Sequence, residues 1–273
     1  MEPDRSPHAT GKMPVLFIGH GSPMNMVMEN RFTRSLAVLG PSLPRPRAIL
    51  VISAHWLTKG SLVACTDRPR MIYDFSGFPP ELYQVTYGCS GAPACAQHSA
   101  DRSGGAIRCD PSRGLDHAAY AILRHLFPAA EIPVFEMSLD YAFGDPHPRP
   151  IQYHYDLARR LAHLRNEGVL IIGSGNMVHN LGLVDFAEME REPFGWAEEA
   201  DAWMRDRILA GEHRELFTYP YTGGETAVRA VPTLDHYLPM ICALGLQEEG
   251  EKVRYIFEGF QNGSMSMRSF RIG

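Results

Sequence analysis

The chain has 273 residues, 45% hydrophobic and 21% charged, with a formal net charge of −5. That balance suits an ordinary globular protein with a sizeable core. It leaves no basic footprint for nucleic acid or an anionic membrane surface, and no apolar run is long enough to span a bilayer.

Residues 1–12 are polar and read as neither a signal peptide nor a membrane span. A disordered tail is expected there, with residues 13–273 as one domain. Cys65, Cys89, Cys95, Cys109 and Cys242 form no C-x-x-C pair, so they read as free thiols in a reducing cytoplasm.

Pro14 to Gly19 is the first predicted strand. It is apolar on both faces, as in a parallel strand covered by helices on each side. It runs into His20-Gly21-Ser22. A helix is expected within Asn25 to Leu39. Pro41 to Pro46 holds three prolines in six residues and reads as a loop. Arg47 to Ala54 is a second buried strand, ending at His55, and Leu62 to Cys65 a short third. Pro69 to Tyr87 is aromatic and turn-rich, which suits a loop lining a pocket or one packed on the core.

Pro93 to Ala100 reads as a helix and Ala106 to Cys109 as a strand. Ala118 to Phe127 is a helix with Asp116 as its N-cap. Ile132 to Leu139 is a strand, and Ile151 to Glu167 an amphipathic helix stopped by Gly168. The apolar run from Val169 leads to His179. Phe194 to Ala210 is a helix closed by Gly211, and Pro220 to Gly224 a turn. Thr233 reads as the cap of a helix through Leu244, with His236 in its first turn. Val253 to Phe257 and Ser264 to Ile272 read as strands. This alternation predicts an α/β fold: a single domain with a central, largely parallel or mixed sheet flanked by helices on both faces.

His20, His55 and His179 each follow an apolar run. Ligands of open α/β sheets bind beyond the carboxyl ends of strands, and neutral imidazole is a common ligand for zinc and non-haem iron. Any one of these residues also reads as a hydrogen-bonded histidine at a sheet edge. Three alike point to a metal site. His236 and His117 are further candidates, each beside an aspartate. Gly173-Ser174-Gly175 begins like a dinucleotide loop but meets Val178 where a third glycine belongs. There is no Walker A motif. His20-Gly21 resembles the oxyanion motif of α/β-hydrolases, yet no Gly-x-Ser-x-Gly accompanies it.

Five motifs recur together, in this order, in the 4,5-DOPA extradiol dioxygenases. They are Gly19-His20-Gly21-Ser22-Pro23-Met24-Asn25, Ser53-Ala54-His55-Trp56, Asp74-Phe75-x-Gly77-Phe78-Pro79, Gly114-Leu115-Asp116-His117 and Ser174-Gly175-Asn176-Met177-Val178-His179-Asn180. The closing Gly263-Ser264-Met265-Ser266-Met267 matches too. The chain resembles that family, part of the class III ring-opening dioxygenases, over nearly all of its length after residue 12. Two departures stand out: Ala118 follows His117 where the family has glycine, and Leu234-Asp235 replaces its Pro-Glu.

The resemblance implies a catalytic extradiol dioxygenase domain holding one divalent metal per chain, Zn²⁺ or Fe²⁺. His20, His55 and His236 are the implied ligands, with His179 as acid/base and possible fourth ligand. His117 is implied to be catalytic or substrate-binding, beside Asp116, Phe75, Phe78 and Ser22. The implied substrates are a small DOPA-like catechol and O₂, opening the ring to a muconic semialdehyde. The implied protein is cytoplasmic, binds neither nucleic acid nor membrane, and is a monomer or homodimer. Two other readings of the same site stay open: a zinc-dependent hydrolase, and a non-catalytic metal-binding protein.

Overall fold

The computed structural model describes residues 11–273; the expected tail therefore lies almost wholly outside the described residues. The strands are β1 (Val15–Gly19), β2 (Ala48–Thr58), β3 (Ser61–Ala64), β4 (Ile107–Asp110), β5 (Val134–Asp140), β6 (Val169–Gly175), β7 (Val253–Phe257), β8 (Phe260–Gln261), β9 (Met265–Ser266) and β10 (Ser269–Ile272). The helices are α1 (Arg31–Ser42), α2 (Pro93–Arg102), α3 (His117–Leu126), α4 (Ile151–Arg159), α5 (His163–Asn166), α6 (Gly195–Ala210), α7 (His213–Thr222), α8 (Gly224–Ala230) and α9 (Leu238–Gly245).

Eight strands form one sheet in the order β4-β3-β5-β2-β6-β1-β10-β7. Its middle, β5-β2-β6-β1, is parallel. The β3/β4 pair on one side and β10 on the other run antiparallel to it. The expected single-domain, mixed α/β fold is what the chain forms.

Alternate residues of the middle strands enter two separate cores. Phe17, Leu50, Ile52 and Ile171 face one side, packed with α4, α6 and α9. Leu16, Ile18, Val51 and Ile172 face the other, against α1 and α3. All eight are fully buried. Each such side chain contributes about 1.5–3 kcal/mol, so the ends of β1, β2 and β6 hang on the most strongly held part of the molecule.

Several local expectations are corrected. Helix α1 starts later than expected, where Asn30 and Thr33 exchange side chain-to-backbone hydrogen bonds, and it runs through Pro41 to Ser42. The proline sits in its last turn, where few hydrogen bonds remain to break. The Ile151 to Glu167 helix is split into α4 and α5. The expected turn at Pro220 to Gly224 is mostly helical, with only Gly223 between α7 and α8. Thr233 caps no helix, because α9 begins at Leu238. The final expected strand is broken into β9 and β10.

Cys65 and Cys109 are joined by a disulfide, which corrects the free-thiol reading for that pair. The cause is register. β3 and β4 are parallel neighbours, and the Cys65 amide donates to the Asp110 carbonyl at 2.8 Å. That brings the two Cα atoms to 5.5 Å, within disulfide range. Cys89, Cys95 and Cys242 are free. Among the described residues no helix is long and apolar enough to cross a membrane.

Candidate active site

Parallel pairing fixes the first histidine. β1 lies beside β6 with Gly19 opposite Gly175, and the His20 amide donates to the Gly175 carbonyl at 3.1 Å. Gly21 then turns the chain with φ +63°, a region that costs a side chain dearly. The Gly21 amide donates to Asn176 Oδ1 at 3.2 Å. His20 is buried, and its Nδ1 lies 3.1 Å from Ser174 Oγ on β6.

His55 sits within β2, not just past its end as the sequence pattern suggests. The pairing of β2 with β5 shifts register between Ile52 and Leu57, and such an irregularity re-aims a side chain. Ser53 braces the segment. It accepts from the His55 amide at 3.0 Å and donates to Asp116 at 2.7 Å.

Asp74 is the residue that sequence reasoning missed. The chain around Met71 pairs with Leu115, which carries Asp74 to the start of α3. There its Oδ1 accepts from the His117 amide at 3.1 Å and lies 2.9 Å from His117 Nδ1. Its Oδ2 lies 2.9 Å from His55 Nδ1. One carboxylate thus caps a helix and orients two imidazoles. The signal was present in Asp74-Phe75-x-Gly77-Phe78-Pro79, a motif read for the resemblance and for its aromatic rings, with no role given to its aspartate.

Asp116 is correspondingly corrected. It makes no capping hydrogen bond, is fully buried, and does not line the cavity. Its Oδ2 accepts from Ser53 and Arg113, and its amide donates to buried Glu136 at 2.8 Å. Arg113 also reaches Glu136 and lies over the Trp56 ring. Asp116 therefore supports β2 through Ser53, from outside the cavity wall.

His236 arrives by a close approach of backbones. A Cβ on Gly175 would stand 2.3 Å from the His236 carbonyl oxygen, so only glycine lets that segment lie on β6. The Asn176 amide donates to that carbonyl at 2.9 Å. This is the physical sense of Gly173-Ser174-Gly175, which is no dinucleotide loop. His236 Nδ1 bonds the Asp235 carboxylate. His179, tied by its amide to the Ala230 carbonyl, stacks on His236 at 3.6 Å.

All five histidines line one cavity of about 760 Å³, with Ser22, Phe75 and Phe78 also in its wall. Ring centroids of His20 stand 5.3, 5.5 and 5.2 Å from those of His55, His117 and His236. His20, His55 and His117 offer ligand atoms all within 4.8 Å of one another. Ser22 accepts from the Met24 amide, and the Phe75 ring lies 5.5 Å from His117.

The electrostatics keep most of these rings neutral. Burial, reinforced by neighbouring imidazoles, holds His20 and His236 far below the ordinary histidine value. Burial and His55 lower His117 despite Asp74. Burial takes His179 down to about 4. For His55 burial also opposes charge, but the Asp74 bond and the charges of Asp116, Asp74 and Asp235 outweigh it, and the net shift is upward. Burial acts to raise Asp74, yet its two histidine partners hold it well below the usual carboxylate range.

The donor set fits a divalent ion. The Nδ1 atoms of His20, His55, His117 and His236 are each held by an oxygen, which orients the rings and leaves Nε2 as the ligand atom. His55 Nε2 is buried with no hydrogen-bond partner, an orphaned lone pair that a metal would satisfy.

Residues 16–267 match the family described as the catalytic LigB subunit of aromatic ring-opening dioxygenase. The chain is 37% identical over 265 residues to a protein of Escherichia coli (strain K12) named 4,5-DOPA dioxygenase extradiol, covering 96% of this chain and 95% of that one. It is 34% identical over 262 residues to the protein of that name from Beta vulgaris, at 93% and 94% coverage. It also resembles the crystal structure of an uncharacterized Escherichia coli K12 protein, with a TM-score of 0.81 and 34% identity over 96% of this chain and 100% of that one. Family match, relatives and fold agree that the chain belongs to the LigB family and is an extradiol ring-opening dioxygenase.

Proposed function

We propose that the enzyme uses one divalent ion per chain to open a small, DOPA-like catechol to a muconic semialdehyde. The observation that carries this reading is the convergence of five histidines on one cavity, with the buried Nε2 of His55 unpartnered. In the overall change both atoms of O₂ enter across the ring bond beside the diol. That bond breaks, one new oxygen ending in an aldehyde and the other in a carboxylate.

His20, His55 and His236 would hold the ion. Bound there, Fe²⁺ supplies a redox-active centre able to take a catecholate and O₂ side by side, which redox-inert Zn²⁺ does not. Asp74 and Asp235 fix the tautomers of His55 and His236. Both are Nδ1–H donors to carboxylate, so their Nε2 lone pairs are free. His179 is neutral at pH 7 and takes a proton from a substrate hydroxyl. His117, held by Asp74, faces the substrate oxygens. Phe75 and Phe78 offer ring faces to an aromatic substrate.

The relatives are named for 4,5-DOPA. Among the described residues no lysine or arginine lines the cavity. The cavity therefore recognises the catechol ring and leaves a charged amino-acid tail toward solvent, near exposed Leu181 and Phe186. Oxygen uptake by protein stripped of metal and reloaded with Fe²⁺ without air tests the reading. Catechol-dependent uptake with a yellow product supports it. Absence of uptake with every catechol, at stoichiometric iron, refutes it.

A further inference from the structure

We propose that His98, His163 and Glu167 form a second divalent-metal site, at the amino edge of the sheet, suited to a borderline transition ion such as Zn²⁺. Their ligand atoms all lie within 4.8 Å of one another. His98 comes from α2. His163 opens α5, and Glu167 follows four residues later, a spacing that puts two side chains on one helical face. His98 Nε2 stands 3.2 Å from Glu167 Oε1, and the two histidine rings are 5.4 Å apart at their centroids.

The second observation is an orphan. His163 Nδ1 lies 2.9 Å from the Arg160 carbonyl oxygen. A carbonyl only accepts, so this nitrogen carries the proton and Nε2 carries the lone pair. That Nε2 is buried with no hydrogen-bond partner. A cation between the three side chains would satisfy it. Two imidazoles and a carboxylate are an established zinc donor set that leaves a fourth position for water, and imidazole disfavours Mg²⁺ and Ca²⁺. Arg47 already binds the other oxygen of Glu167 at 3.3 Å, so this ion is held less tightly than the one at the five-histidine site.

The two sites are independent. Strand β2 separates them, with Arg47 before its first residue and His55 eight residues later, roughly 26 Å at about 3.3 Å per residue. An ion here would tie α2 to α5, a structural rather than catalytic part.

Untagged full-length protein, stripped with a chelator and titrated with Co²⁺ or Zn²⁺, tests the proposal. The His98→Ala/His163→Ala variant is expected to bind one equivalent fewer than wild type, with unchanged circular dichroism and catechol-dependent oxygen uptake. A variant that binds as many equivalents as wild type overturns the proposal. Glu167→Gln keeps the shape and removes the charge, and is expected to weaken the same equivalent at least about tenfold. Unchanged affinity in that variant also overturns it. His55→Ala identifies the other equivalent, since it is expected to remove only that one.

Discussion

Two histidine clusters lie at opposite edges of the same parallel strands. They share donor chemistry and differ in how the donors are held. At the carboxyl edge, Ser174, Asp74 and Asp235 hold the Nδ1 atoms of four of the five rings. The rings open on a cavity large enough for an organic substrate. At the amino edge, His98 shares Glu167 with Arg47, while His163 is held only through the Arg160 carbonyl. The His98 side chain is 43% exposed, and it does not line the five-histidine cavity. A donor set becomes a reaction centre when each ring is oriented by a dedicated partner and faces enclosed space. Without those features, the same residue types hold an ion at most.

The sharpest way to break this contrast is to remove one donor at each edge. His55→Ala is expected to abolish ring opening and the tighter metal equivalent together, read by oxygen uptake and metal analysis. His98→Ala should leave kcat/KM within about twofold, since an exposed side chain far from the cavity makes no transition-state contact. A comparable loss in both variants would erase the distinction.

Next in size is the acid/base assignment. His179→Ala is expected to cost about 10²–10⁴ in kcat while the bound metal stays stoichiometric. Loss of metal in that variant would instead make His179 a ligand. A smaller effect is expected for Asp74→Asn. It keeps the side chain's size but removes the charge that orients His55 and His117. Supporting partners of this kind are worth about 10–100-fold in metal affinity or activity. An unchanged kcat/KM would mean the two rings are positioned by packing alone.

The carboxyl-edge site was far more legible in the sequence than its supports. Buried strands betray themselves by apolar runs, so the placement of His20, near β1, needed no tertiary knowledge. His55 was found for a partly wrong reason. Its strand runs on to Thr58, and the register shift that turns it inward leaves no mark in composition. Asp116 looked like a helix cap because it precedes α3. Only the three-dimensional pairing of Met71 with Leu115 brings Asp74 to that helix start and frees Asp116 for Ser53 and Arg113. The disulfide was hidden for the same reason, since parallel strand pairing joins residues 44 apart. Local rules see periodicity; they do not see which distant segment arrives first at an unsatisfied amide.

Substrate choice sharpens the carboxyl-edge half of the comparison. With no lysine or arginine in the cavity wall among the described residues, the amino-acid tail of L-DOPA gains little. L-DOPA is expected to exceed 4-methylcatechol in kcat/KM by no more than about tenfold, or about 1.4 kcal/mol. A hundredfold preference for L-DOPA would require an ionic partner that the wall does not supply.

The smallest expected effect belongs to the amino edge and concerns stability. Arg165, in α5, is fully buried, and it donates to the Met13 and Leu246 carbonyls and to both oxygens of Glu251. Lys12 also meets Glu251, at 2.9 Å. Burial acts to raise the Glu251 carboxyl, but the Arg165 bond, the Glu248 contact and Lys12 outweigh it and bring it down to about 2 from an ordinary 4.5. The folded state therefore binds fewer protons than the unfolded state between those values. This contribution to stability is complete above about pH 4.5 and is lost as pH falls toward about 2. Wild type is accordingly expected to melt above Glu251→Gln at pH 7, and the gap in Tm should narrow through that window. The His98→Ala variant, measured without metal, should show no such convergence, because His98 shares Glu167 rather than this pair. A gap between wild type and Glu251→Gln that stays constant down to pH 2 would place the stabilisation in packing around Arg165 instead of in charge.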